Sequence, residues 1–93
     1  MKLVTPIFNN VLTVIIMNIK DFIKNFASQF EETAETRFTA QTKFHTEIEE
    51  WDSLRALSVI AMVDDQYGVT IKGNDIRSAI TVEDLFNIVL SRK

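Results

Sequence analysis

The side chains with chemical potential crowd into one stretch of this chain, "HTEIEEWDSL", which holds the sole histidine, four carboxylates and a serine. Three chemistries can be weighed there. A Ser, His and Asp hydrolase would need His45 to reach Ser53 and an acid to orient the imidazole, but no Gly-x-Ser-x-Gly elbow or oxyanion loop accompanies them. Glu47, Glu49, Glu50 and Asp52 lack the spacing of a calcium loop and read as a solvated acidic segment, with His45 an ordinary loop residue. Gly68 and Gly73 form no phosphate-cradling loop. No enzymatic reading survives. Ser53 itself has two: it caps the N-terminus of a helix, with Trp51 packing over the first turn, or it accepts a phosphate-linked group attached by another enzyme. On local chemistry alone capping is the simpler.

The elements that must position this stretch follow from hydrophobic spacing. Ile19, Phe22, Ile23, Phe26 and Phe30 share one helical face, and Asn18 with Asp21 three residues on resembles a capping box. From about residue 32 to residue 50 the Thr-rich segment has no sustained period, so a long loop pinned to the core by Phe38, Phe44 and Ile48 is expected. A second helix over about 53–66 carries a core stripe of Ala56, Val59, Ile60, Val63 and Tyr67. A further stripe, Leu54, Leu57 and Ala61, runs toward Asp64 and Asp65. Either this helix is buried nearly all round, or the stripe is an apolar contact strip with an acidic end. Gly68 sits where a left-handed C-terminal residue is expected, a brief helix lies around 74–78, and Thr81 with Asp84 caps a final helix faced by Val82, Leu85, Phe86, Val89 and Leu90. The expected fold is all-α, a small four-helix bundle of three main helices and one short one.

Composition bounds the partners. Ninety-three residues make one small domain, and ten basic against thirteen acidic residues leave a net charge of −3. That sign opposes nucleic acid as a partner and favours a basic protein surface. With no cysteine there is neither a disulfide framework nor a thiolate metal site, as suits a reducing cytoplasm. Residues 1–16, "MKLVTPIFNNVLTVII", differ from the rest: one charged side chain, the only proline, and many aliphatic residues. Pro6 and Asn9-Asn10 split the apolar part, no Ala-x-Ala cleavage site follows, and the run over 11–17 is too short to span a membrane. An appended extension is expected there, loosely held or the product of an overextended gene start, with the domain proper at 17–93.

The stretch "WDSLRALSVIAMVDDQYGVTI" resembles the Asp-Ser-Leu segment of acyl carrier proteins. The order of helix, long loop, Asp-Ser-Leu helix, short helix and a final "TVEDLFNIV" helix is similar too, so the resemblance covers 17–93. It implies that Ser53 carries 4′-phosphopantetheine, added from coenzyme A by a phosphopantetheinyl transferase, and that the arm's thiol holds an acyl group as a thioester. It further implies that Asp52, Leu54, Leu57, Ala61, Asp64 and Asp65 face transient partners, namely acyl-transferring and condensing enzymes. The chain would be a cytoplasmic monomer that is not itself an enzyme, serving fatty-acid or related lipid biosynthesis. A dedicated polyketide or aminoacyl pathway, or an unmodified helical adaptor with the carrier fold, are the alternatives. Arg55 and Ser58 stand where the family often has acids, and Glu49-Glu50-Trp51 where many members have a glycine. The extension has no counterpart in the family.

Overall fold

A computed structural model describes residues 18–93. The extension at 1–16 and Met17 lie outside the described residues. Five α-helices follow one another among the described residues: α1 (Ile19–Ala27), α2 (Phe44–Glu47), α3 (Ser53–Tyr67), α4 (Gly73–Ser78) and α5 (Val82–Ser91), with a 3₁₀ turn at Glu35–Arg37 between α1 and α2. No strand forms among the described residues beyond an isolated antiparallel bridge between Lys43 and Thr81. The fold is all-α, and no helix among the described residues is long and apolar enough to cross a membrane.

Helix α1 starts where Asn18 Oδ1 accepts the Asp21 N–H at 2.9 Å. It buries Phe22 and Phe26 fully and packs on α5 and α3. The helix stops at Ala27, so Phe30 is not part of its face as the spacing suggested. Phe30 is nonetheless buried, because two tight turns, Gln29 N–H to Phe26 O and Phe30 N–H to Ala27 O, fold it back inward. Around Phe26 an aromatic cluster assembles: Phe30 at 5.4 Å, Phe38 at 5.8 Å, Phe44 at 5.2 Å and Trp51 at 6.3 Å between ring centroids.

The segment between α1 and α3 is a long connection, pinned by buried Phe38, Phe44 and Ile48 as expected. It contains a helix the periodicity did not show, since α2 is one turn long and too short to repeat. Among the described residues there are therefore three main helices and two short ones rather than one. The connection also finishes α5. The first helical N–H groups have no partner within their own helix; here Val82 N–H donates to Thr42 O and Glu83 N–H to Ala40 O, while Thr81 Oγ1 accepts from Asp84 N–H at 3.1 Å. Asp84 accepts in return from the Ile80 and Thr81 N–H groups, which hold its carboxyl below the ordinary value.

At the far end of α3, Gly68 adopts φ 66° and its N–H donates to Asp64 O, the left-handed stop expected from sequence. Short α4 is tethered to the end of α5 by Asp75, which takes two hydrogen bonds from the Arg92 guanidinium and one from the Lys72 N–H. Those bonds, Arg92 first, lower its carboxyl to about 2. Helix α3 buries Val59, Met62 and Val63, half-buries Ala56, Ile60 and Tyr67, and leaves Leu54 and Leu57 at 58% and 62% exposure. Burial all round is thus overturned: the Leu54, Leu57, Ala61 stripe faces solvent.

Because Phe26 is fully buried at the centre of the cluster, Phe26→Ala is expected to lower unfolding free energy by about 3–5 kcal/mol in urea denaturation. Leu57→Ala, on the exposed stripe, should change it by no more than about 0.5 kcal/mol.

Candidate functional site

The start of α3 is built by three neighbouring acids and aromatics that each have a structural task. Trp51 lies on Phe26 with an interplanar angle of 7° and meets Phe44 edge-on at 4.8 Å. Asp52 is extended, with φ −159° and ψ −174°, and its Oδ1 accepts the Arg55 N–H at 2.8 Å. Asp52 is therefore the N-cap, and Ser53 is the first residue inside the helix. The capping role open to Ser53 is corrected by this geometry. Its side chain is exposed and its hydroxyl has no hydrogen-bond partner among the described residues. The N–H groups of Ser53 and Leu54 also lack an intrahelical acceptor, as first-turn donors must. Trp51 does not simply pack over the first turn; it belongs to the core cluster.

Arg55 does not present its charge to a partner surface. Its Nη1 donates to Glu50 Oε2 at 3.2 Å, and the two side chains are only 15% and 17% exposed. Glu50 also accepts from Glu31 N–H at 3.0 Å, Glu32 N–H at 3.1 Å and Thr33 Oγ1 at 2.8 Å. One carboxylate so clasps the chain leaving α1 to the first turn of α3. Desolvation acts to raise the Glu50 carboxyl, but the bonds from Thr33, Glu32 and Glu31 and the Arg55 charge outweigh it and leave the carboxyl lowered. The Arg55 Nε is buried with no partner among the described residues.

His45 lies in α2, where loop was expected, and its Nε2 stands 3.0 Å from both Ile76 O and Ala79 O. Two carbonyls can only accept, so Nε2 carries the proton and His45 straps α2 to the end of α4. That nitrogen is not positioned as a base toward Ser53. Glu47 is equally committed, accepting the Lys43 N–H at 3.1 Å. Asp64 and Asp65 are exposed near the end of α3, Asp65 accepting from its neighbour Gln66 at 3.0 Å.

Beside Ser53 a groove of about 650 Å³ opens between α3 and α4, which lies within the usual range for small-molecule pockets. Trp51, Ala56, Leu57, Ile60 and Ile76 give it apolar walls, while Asp52, Ser53, His45, Gly73 and Arg77 complete it. The sequence pointed to Ser53, Asp52 and Leu57 but not to the α4 side of this groove. The only signal there was the adjacent Ile76 and Arg77 in a segment too short to show which face is which. The structure brings Asp52, Ser53 and Leu57 together at the groove; Leu54 and Ala61 share the exposed strip of α3, and Asp64 and Asp65 stand near its other end.

No family model, curated protein or solved structure matches this chain.

The depressed Glu50 carboxyl gives its clasp a pH signature. A group lowered in the folded state adds stability that is present above its ordinary value, 4.5, and is lost as pH falls through the folded value. Wild type is expected to be more stable than Glu50→Gln at neutral pH, with the gap closing below pH 4.5. Parallel urea titrations across that range check it; a gap that persists in acid would mean the clasp acts without its charge.

Proposed function

We propose that this chain is an acyl carrier whose attachment residue is Ser53. One observation carries the reading: Asp52 performs the capping, which leaves the Ser53 hydroxyl exposed and without a hydrogen-bond partner among the described residues at the first position of α3. A serine in that state is open to an external transferase. The residues around it fit 4′-phosphopantetheine. The free N–H groups of Ser53 and Leu54 and the positive end of a fifteen-residue helix favour a phosphodiester on Oγ, and the adjoining groove offers apolar walls. When bound, that group supplies the thiol that this cysteine-free chain lacks, and with it thioester chemistry.

The chain's own residues do the rest. Trp51 and the Glu50–Arg55 clasp hold the start of α3 still, so Ser53 is presented at a fixed place. Leu54, Leu57 and Ala61 supply an exposed apolar strip, and Asp52, Asp64 and Asp65 place negative charge at its two ends. A small strip with rim charges suits partners that must bind and release in turn: charge speeds encounter while modest apolar area keeps the complex short-lived. Acyl-transferring and condensing enzymes with basic surfaces are such partners, in fatty-acid or related lipid biosynthesis in the cytoplasm, with the carrier acting as a monomer. Resemblance of "WDSLRALSVIAMVDDQYGVTI" to the acyl carrier segment supports the same assignment.

Incubation with coenzyme A and a promiscuous phosphopantetheinyl transferase is expected to add one phosphopantetheine to the wild type and none to Ser53→Ala, read by intact mass. No addition by several transferases would overturn the carrier assignment. In the native cell, Ser53→Ala and Leu57→Asp should both abolish function; an adaptor that works unmodified would tolerate the first and fail with the second.

A further inference from the structure

Helix α4 brings one unpaired cation to the groove beside Ser53. Arg77 is exposed, and the two ion pairs among the described residues, Glu50–Arg55 and Asp75–Arg92, do not involve it. Its Nη2 donates to the Asn74 side-chain oxygen, and its head lies over Gly73, where a Cβ would stand 3.2 Å from Nη1. The missing side chain at Gly73 thus lets the guanidinium lie close along the groove wall. Of the other polar side chains of the groove, Ser53 is the attachment residue proposed above, and His45 and Asp52 have tasks already. His45 Nε2 donates to two carbonyls, and Asp52 accepts the capping N–H. What remains is an apolar surface of Trp51, Ala56, Leu57, Ile60 and Ile76, with an acid beside Ser53 on α3 and a free cation on α4.

We propose that this groove selects an apolar chain bearing a carboxylate, with the chain on those five side chains and the carboxylate on Arg77. Charge complementarity carries the choice, since a guanidinium matches a carboxylate through paired N–H donors. Asp52 repels the same carboxylate, which turns it away from the Ser53 side. Applied to cargo, the inference rests on the carrier reading: the thioester takes the near end of the acyl group, so the carboxylate is a second acid at its far end.

Trp51 is the only tryptophan and lines the groove, so its fluorescence reports occupancy in the unmodified protein. Titration with octanoate and with octan-1-ol compares one chain with and without the charge. The wild type is expected to bind octanoate about threefold to fivefold more tightly, the scale of a solvent-accessible ion pair. Arg77→Gln should remove that preference by weakening octanoate alone, and Arg77→Lys should restore part of it. Equal affinities in the wild type, or a preference that survives Arg77→Gln, would overturn the proposal. So would an equal, Arg77-dependent response to inorganic phosphate alone, which would assign the cation to a phosphate rather than to a carboxylate-bearing chain. None of these readings needs a modified Ser53. A protein that refuses phosphopantetheine yet discriminates octanoate loses the carrier assignment and keeps the groove, and the converse separates the two the other way.

Discussion

The contact of Trp51 with Phe26, nearly parallel rings at 6.3 Å, sets the course of the chain into α3, the longest helix among the described residues. Phe26 sits on α1 with no exposed surface, and Phe30, Phe44 and His45 close on Trp51 from the other directions, at 6.2, 4.8 and 5.4 Å. Each aromatic pair adds about 0.5–1.5 kcal/mol beyond the burial itself, and the pairs share rings, so Trp51 cannot move without disturbing its neighbours. A chain fixed at Trp51 has its next residues placed as well. Asp52 falls at the N-cap and Ser53 one step inside, and a slip of one residue would hand the capping to the serine.

That division of labour between neighbouring side chains is what frees the serine. A helix start demands acceptors for its first N–H groups, and a hydroxyl at the N-cap would be drawn into that task. Here one carboxylate caps, and another, Glu50, reaches back to hold the chain that leaves α1. Arg55 completes the arrangement from within the first turn of α3. A cation at this position therefore subtracts little from the outward charge of the helix, because most of its field is spent on Glu50. The acidic character of α3 and its N-cap is carried by Asp52, Asp64 and Asp65, none of which has an ion-pair partner among the described residues.

Legibility in the sequence followed the length over which a pattern could repeat. Helices α1, α3 and α5 run for nine, fifteen and ten residues, long enough for a period of 3.6 to show, and their starts at Asn18 and Thr81 were marked by capping residues. Helix α2, four residues long, has no second turn in which a period could register, and its one buried residue, Phe44, looked like a loop anchor. Phe30 fitted the α1 stripe by spacing, yet it reaches the core through turns, since spacing cannot distinguish a fourth helical turn from a chain folding back. At the site, residue types pointed to Ser53 and the exposed leucines. They could not choose between Asp52 and Ser53 as the cap, because both are favoured there and tertiary packing of Trp51 decides. Nor could they place Glu50 and Arg55 together with the turn after α1, a pairing across residues 31–33 that depends on the fold of the whole connection.

Leu57 stands on two surfaces at once. It lines the groove between α3 and α4, and it is also the more exposed of the two leucines of the outward strip. Covering a leucine with that much free area is favourable by about 25 cal/mol per Å², so a partner that docks on the strip gains from touching Leu57, and in touching it meets the groove wall. Helix α3 thereby joins three tasks in one element: Val59 and Val63 anchor it inward, Ala56 and Ile60 shape the groove, and Leu54 and Ala61 face outward. Only a helix whose start is held rigidly can keep those faces in register with Ser53, and the residues that hold it, Trp51, Glu50 and Asp52, are the three that immediately precede the serine.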